Sequence, residues 1–408
     1  MNHKKSFMEG IISINRCSIA FTVPVFSMKY RKFGKLDWRP SALGFGAMRL
    51  PVLDGDAGKI DEPRAIEMIR YAIDHGVNYV DTAYGYHKGN SERLVGKALK
   101  DGYLERVKLA TKMPCWIINS ADDFDRYFNE QLEKLQTNRI DFYLLHGLGK
   151  DRWPKVRDLG ILNWAEKKIA EGKIGYLGFS FHDELPLFKE IVDAYNGWAF
   201  CQIHYNYVDR EYQAGAQGLR YAAEKGLAVV IMEPIAGGRL SINPPEGIKE
   251  LWKTSSHRWK PAEWALQWVW NQPEVSLVLS GMSTMEHVVE NVVAASRSGV
   301  DSLKPRDLKL VDAIAKRYME IGFVGCTSCR YCMPCPSGVA IPEIFAFFNE
   351  YYMHNRDPSV KQKYRGQLKE EEWAKNCVQC GKCEELCPQH LPIRRLLRGA
   401  GQTFEQDT

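Results

Sequence analysis

The 408-residue sequence lacks any apolar run long enough to cross a bilayer. A spanning helix needs about 20 consecutive apolar residues. The nearest approach, residues 11–26, follows Lys4 and Lys5 as a signal peptide would, but Glu9 and Arg16 interrupt it. No small-residue cleavage site follows. Residues 1–27 are therefore set aside as a disordered extension upstream of Met28, and no membrane is expected as a partner. Charge of one sign is scarce too: 55 Lys and Arg stand against 50 Asp and Glu, a net +5. No stripe of cations interleaved with aromatics is present, which excludes a nucleic-acid surface. Arg394, Arg395 and Arg398 read as the exposed face of a small helix.

Also missing is the glycine-rich turn that opens a doubly wound dinucleotide-binding sheet. The first apolar run reads Gly44-Phe45-Gly46-Ala47-Met48-Arg49, without the third glycine. A disulfide framework is excluded by length and by distribution. Such scaffolds are short secreted chains, whereas here eight of eleven cysteines crowd between Cys326 and Cys387. Clustered thiols in a long chain read as metal ligands in a reducing compartment, hence a cytoplasmic location. Cys17, Cys115 and Cys201 read as non-ligands.

What is present, from about residue 42 to 300, is alternation. Short apolar runs lie at Ala42–Met48, Val77–Asp81, Val107–Lys112, Ile140–His146, Ile174–Ser180, Phe200–His204, Ala228–Met232 and Val275–Leu279. Helical patterns separate them, among them Arg64–His75, Asn90–Leu99, Asp122–Leu135, Leu159–Glu171 and Pro261–Asn271. Continuous apolar runs are what buried parallel strands look like. Eight strand–helix units in this length fit a closed (β/α)8 TIM barrel better than an open sheet. Lys304–Glu320 reads as a closing helix. Beyond it Cys, Pro and Gly take over, which marks a second domain. The expected division is 1–27 extension, 28–320 barrel and 321–408 cluster domain. Trp264, Trp268 and Trp270 read as helix packing, whereas Trp252 and Trp259 fall in a loop placed to roof a substrate pocket.

Barrel chemistry sits where the strands end at the C-terminal face. Strand two ends in Asp81, followed by Thr82-Ala83-Tyr84-Gly85-Tyr86; strand three ends in Lys112 and strand four in His146. Each group alone is often a structural ion pair or a satisfied histidine. Four at successive strand ends are a chemical set. A carbonyl reduced by hydride needs a proton, and a tyrosine can give it. A neighbouring lysine ammonium would lower that phenol's pKa. Asp81 would hold the lysine, and His146 would orient the carbonyl.

These residues resemble the aldo-keto reductase signature. The likeness lies in Asp81 to Tyr86, Ser91-Glu92, Gly96-Lys97-Ala98-Leu99, Ala110-Thr111-Lys112 and Tyr143-Leu144-Leu145-His146. Gly175 to Ser180 and Cys201 to Asn206 are similar to that family's nicotinamide-binding strands. The likeness spans roughly residues 30–300. It implies a small-molecule carbonyl or alcohol substrate, Tyr86 rather than Tyr84 as acid/base, and NADH or NADPH as cofactor. It also implies Ser180 and Gln202 on the carboxamide, Met232 against the nicotinamide, and Gly281, Met282, Ser283, His287 and Asn291 on the far end of the nucleotide. Four positions depart from the family. Phe181 stands where an Asn is usual, and Met232 where an aromatic ring is common. Gly281 and His287 occupy positions that carry Lys and Arg in members preferring the phosphorylated nucleotide. Without fixed cations a 2′-phosphate gains less, so NADH is favoured, or electrons arrive by another route.

The cysteines fall in two runs. Cys377-x2-Cys380-x2-Cys383-x3-Cys387-Pro388 matches the bacterial ferredoxin pattern for a [4Fe–4S] cluster. Cys326-x2-Cys329-x2-Cys332-x2-Cys335-Pro336 is one residue short before its last thiol. Zinc is the alternative, which ligand softness alone does not separate. In two-cluster ferredoxins the fourth Cys of each run ligates the other cluster. Transferred here, one cluster takes Cys326, Cys329, Cys332 and Cys387, and the other takes Cys377, Cys380, Cys383 and Cys335. One cluster with free thiols stays open. The helical stretch Pro342–Met353 resembles helical ferredoxin-like domains more than the compact β type. The whole chain thus resembles the aldo-keto reductase branch with a C-terminal ferredoxin-like domain. The alternative function is a nucleotide-independent electron-transfer protein serving an external ferredoxin or flavoprotein.

Overall fold

A computed structural model describes residues 27–406 other than 242, 243, 322 and 355. Apart from Ser27, the expected extension lies outside the described residues. The apolar runs form eight strands: β1 (Leu43–Gly46), β2 (Tyr79–Asp81), β3 (Lys108–Met113), β4 (Ile140–Leu148), β5 (Ile174–Phe181), β6 (Phe200–His204), β7 (Ala228–Met232) and β8 (Val275–Gly281). Neighbours pair in parallel and in sequence order, and β1 pairs with β8 to close the barrel. The strands are buried on both faces because helices cover the outside.

The floor of the barrel is built by the segment before β1. A tight bridge between Phe33 and Leu36 pushes Phe33 in among Tyr79, Phe142, Phe200 and Ala228, all near the starts of their strands. The Phe33 ring lies 5.1 Å from Phe142 and 5.8 Å from Phe200. With that end sealed, the opposite end is the one open to chemistry.

Helix boundaries follow local signals. Asp61 caps Glu62–Asp74 by accepting from the Arg64 amide, and Pro261 opens Pro261–Trp270. The expected helix at 159–171 is Ile161–Ala170, and a further short helix, Arg152–Asp158, precedes it. Gly160 between them adopts φ 86°, a left-handed conformation that breaks the helical path. Trp252 is helical, within Glu246–Lys253, and stacks on Trp264 at 5.0 Å; Trp259 meets the same ring at 4.8 Å. Both therefore pack against an outer helix and do not roof the mouth.

The second unit has no strand among the described residues. Helices Ile341–Met353, Pro358–Gln367, Lys382–Leu386 and Ile393–Phe404 surround a separate core of Ile344, Phe345, Tyr364, Leu397 and Phe404. The thiols pack at the edge of that core. Truncating a buried aromatic costs about 3–5 kcal/mol. Phe33→Ala is expected to lower barrel stability by that amount, read as an earlier denaturation midpoint by circular dichroism. A change under 1 kcal/mol would show that the floor contributes little.

Candidate active site

The polar strand ends converge opposite the Phe33 floor. Lys112 Nζ donates to Asp81 Oδ1 at 2.6 Å, to the Thr82 carbonyl at 2.8 Å and to the Tyr86 hydroxyl at 3.4 Å. Lys112 is fully buried. Tyr86 opens a short turn in which His87 and Lys88 adopt φ of 52° and 55°. Such left-handed residues cost on the order of 1–3 kcal/mol each and need outside support. His87 Nδ1 meets the Ala57 carbonyl at 2.8 Å, its Nε2 accepts from the Leu50 amide at 3.2 Å, and Lys88 pairs with Asp56 at 2.7 Å. The turn aims the Tyr86 ring at His146, 6.0 Å away and edge-on. Tyr84 faces elsewhere and donates to Glu130 at 2.9 Å. Ser91 and Glu92 are structural: Ser91 donates to the Ala47 carbonyl, and Glu92 accepts from Thr111 and Gln131.

Burial dominates the electrostatics. It pushes the Tyr86 phenol well above 10, and the Asp81 and Glu233 carboxylates add to that. The lowering expected from Lys112 does not prevail over that burial. Burial pulls Lys112 down against the opposing pull of Asp81, and raises Asp81 against the pull of Lys112. His146 falls well below 6.5 through burial and the nearby charges of Lys112 and Arg152. The mouth thus holds a protonated phenol and a neutral imidazole around one ion pair. His146 Nδ1 is buried and without a hydrogen-bond partner.

The expected nicotinamide residues lie on adjacent strands. Ser180 and Gln202 are register partners across β5 and β6. Ser180 Oγ accepts from the Gly147 amide at 2.7 Å. Gln202 Oε1 is buried without a partner, as a residue awaiting a carboxamide N–H would be. Gln202 Nε2 lies 3.7 Å from the Met232 sulfur. Phe181 is buried in the core. After β8, Gly281 lies under the Arg49 side chain, and Met282 packs in the core, so its backbone is what it offers a ligand. Thr284 caps the next helix by accepting from the His287 amide, and Asn291 donates to Ser280 Oγ at 3.0 Å.

Three mouth residues escaped the sequence pattern. Trp116 stands 5.1 Å from the His146 ring, Arg152 donates to the Gly147 carbonyl at 3.0 Å, and Tyr331 reaches in from the cluster domain. None has a periodic signature, because each comes from a loop or a helix start.

The eight thiols ring two cavities of about 330 and 320 Å³, counting the parts open to solvent. Cys326, Cys329, Cys332 and Cys387 line the first; Cys335, Cys377, Cys380 and Cys383 line the second. Each cavity therefore takes three thiols from one run and one from the other. Among the described residues no group of three or more His, Cys, Asp or Glu is gathered to hold a single metal ion. Zinc needs its thiolates about 2.3 Å from one point; thiols spread around a cavity suit a polynuclear cluster. Burial pushes the Cys329 thiol up to about 12, and a bound metal cation would favour its thiolate.

Comparison with known proteins agrees with both halves. Residues 42–315 match the aldo/keto reductase family, and residues 325–391 a 4Fe-4S dicluster domain. L-galactose dehydrogenase of Arabidopsis thaliana is 27% identical, covering 70% of this chain and 94% of its own. The NADH-specific methylglyoxal reductase of Escherichia coli is 28% identical, covering 65% and 93%. Among solved structures, the holo form of an aldo-keto reductase from Bacillus halodurans is 28% identical with a TM-score of 0.59, covering 70% of this chain and 96% of its own. An aldo-keto reductase from Klebsiella pneumoniae in complex with NADPH is 26% identical with a TM-score of 0.58, covering 71% and 95%.

The neutral imidazole sets a pH dependence. Below an ordinary pKa of about 6.5 the unfolded chain binds a proton that folded His146 refuses, so stability falls as pH drops from there. Unfolding midpoints at pH 7.5 and 5.5 are expected to differ more for the natural protein than for His146→Gln. Equal differences would place the imidazole in an ordinary environment.

Proposed function

The chain belongs to the aldo/keto reductase family and carries a 4Fe-4S dicluster domain, and from that premise we propose that it interconverts a small-molecule carbonyl and an alcohol with Tyr86 as acid/base. The observation that carries this reading is the hydrogen-bonded chain Asp81–Lys112–Tyr86 beside a neutral His146. In reduction, the Tyr86 hydroxyl gives its proton to the oxygen of the former carbonyl. Burial keeps that proton in place until the substrate oxygen gains charge. Lys112, with Asp81 fixing its position, stabilises the phenolate left behind. His146 orients the carbonyl oxygen.

A nicotinamide supplies the hydride when bound. Gln202 Oε1, buried and unpartnered, suits its carboxamide; Ser180 on the adjacent strand and Met232 beside Gln202 would complete the holding set. NADH is favoured over NADPH because Gly281 and His287 offer no fixed cation to a 2′-phosphate. Two [4Fe–4S] clusters supply one-electron transfer when bound. The crosswise thiol sets support two, and their placement supports an order. The first set adjoins Tyr331 in the mouth, whereas Cys380 and Val378 of the second are exposed.

A second reading has its own support. The cluster loop lies on the barrel mouth, with Arg239 donating to the Val324 carbonyl at 3.2 Å. In this version no nucleotide binds, and an external ferredoxin or flavoprotein exchanges electrons with the exposed second set. Anaerobic addition of NADH separates the two. Bleaching of cluster absorbance supports the first; its absence in protein that dithionite reduces leaves clusters too low in potential for NADH or an external electron partner, and nucleotide binding in the same sample separates those two.

Tyr86→Phe is expected to lower kcat for aldehyde reduction by about 10²–10⁴, the usual worth of a general acid. Unchanged turnover would remove Tyr86 from the mechanism. The crosswise sets make a separate prediction. Cys387→Ala, although in the second run, is expected to abolish the first cluster's signal, and Cys335→Ala the second's, each with about half the iron lost. Loss following the runs instead would reassign the ligands.

A further inference from the structure

Among the described residues, Tyr331 brings the cluster domain to the tetrad. Tyr331 lies between Cys329 and Cys332, half-buried. Its ring stands 6.5 Å from that of His146, edge-on, and its hydroxyl is near enough to the Tyr86 phenol to act on it electrostatically. His146 therefore has rings on three sides: Trp116 at 5.1 Å, Tyr86 at 6.0 Å and Tyr331 at 6.5 Å. Of these, Tyr331 alone is not a barrel residue.

The loop that carries it is fastened to the barrel. Arg49, just after β1, donates to the Thr327 carbonyl, and Arg239 to that of Val324. Gly237 lies directly beneath Thr327: at φ 68°, a Cβ there would come within 2.6 Å of the Thr327 oxygen. Tyr212 and Gln213 hold the neighbouring stretch through the carbonyls of Gln389 and Pro388. With the loop seated, Tyr86 and His146 keep only 7% and 6% of their surface.

A carbonyl oxygen that takes a proton from Tyr86 must come within about 2.6–3.2 Å of that hydroxyl. The Tyr331 ring already stands beside that place, against the same imidazole that Tyr86 faces. We propose that Tyr331 is the specificity-determining residue of the carbonyl subsite: its phenol fills the space over Tyr86 and His146, and a substrate gains access by displacing that ring. The inference rests on the carbonyl reading of the tetrad above. It adds that substrate size is set by the cluster domain as well as by the barrel loops. The work of displacing the ring is taken from substrate binding, so it appears in KM and leaves kcat alone.

The test uses full-length protein purified anaerobically with its clusters, as the natural form, Tyr331→Ala, Tyr331→Phe and Tyr331→Trp. One readout needs no turnover: the rate at which diethyl pyrocarbonate modifies His146, mapped by peptide mass spectrometry. Exposed His75 serves as the reagent control, and buried His204 reports any undocking of the cluster domain. Tyr331→Ala is expected to speed His146 modification about tenfold with His204 unchanged, and to lower KM for 4-nitrobenzaldehyde about tenfold at similar kcat. Tyr331→Phe keeps the ring and the shielding. Tyr331→Trp enlarges the plug and is expected to raise KM, which keeps the test valid where Tyr331→Ala loses its clusters. Unchanged His146 modification in Tyr331→Ala, or unchanged KM in both Ala and Trp variants, overturns the proposal. His146 exposed by Tyr331→Ala in protein that reduces no aldehyde in any form would uphold the plug and sink the carbonyl reading instead.

Discussion

Much of the barrel's chemistry depends on one ion pair out of water. Lys112 and Asp81 lie 2.6 Å apart with side-chain exposures of 0% and 3%. An ammonium has three donors and no acceptor. Here one donor goes to Asp81, one to the Thr82 carbonyl, and the third points to Tyr86. Removing either member of such a pair leaves a buried charge, at a cost of about 3–5 kcal/mol. The pair also ties β2 to β3 at the end where the Tyr86 turn begins. Its positive member is among the charges that hold His146 neutral.

A layer beneath steadies the pair. Gln131 donates to the Lys112 carbonyl at 3.0 Å and to Glu92 at 2.6 Å, and accepts from Tyr143 at 2.7 Å. Glu92 is itself raised by burial, against the pull of Thr111, Gln131 and Lys134. A long flexible lysine is thereby held to one position by a backbone that cannot shift. The strained turn at His87 and Lys88 does the same for the phenol from the other side.

The strand ends were legible because they are anomalies. An Asp, a Lys and a His closing apolar parallel strands break a pattern that burial otherwise enforces, so Asp81, Lys112 and His146 stood out. Tyr86 and Tyr84 did not separate by pattern; family likeness favoured Tyr86, and the left-handed turn after it explains why the two rings diverge. The helix Arg152–Asp158 was not legible, because a segment of 7 residues is too short to display a helical periodicity. The direction of the Tyr86 shift is not legible in the sequence because burial, which only the fold displays, decides it. The crosswise thiol sets followed from likeness to two-cluster ferredoxins, and the two cavities agree with them. Tyr331 was illegible. It reads as a spacer between ligands, and its partners Tyr86 and His146 are far away in sequence.

That blind spot points to how the two halves are joined. The seam consists largely of guanidinium and amide donors aimed at backbone carbonyls of the cluster loops, as Arg49, Arg239 and Gln213 show. Such contacts read loop shape rather than side-chain identity, so no sequence motif announces them. Arg49 is the most shared of these groups. It holds the Thr327 carbonyl, lies 3.6 Å from Glu233 after β7, and covers Gly281 at the end of β8. One side chain thus touches the cluster loop and the barrel end expected to hold the far part of a nucleotide. A guanidinium has five donors but a single rigid plane. Any rearrangement that turns that plane toward one partner alters its angle to the others. The mouth and the cluster loop are therefore mechanically one site, with Tyr331 and Arg49 among its points of contact.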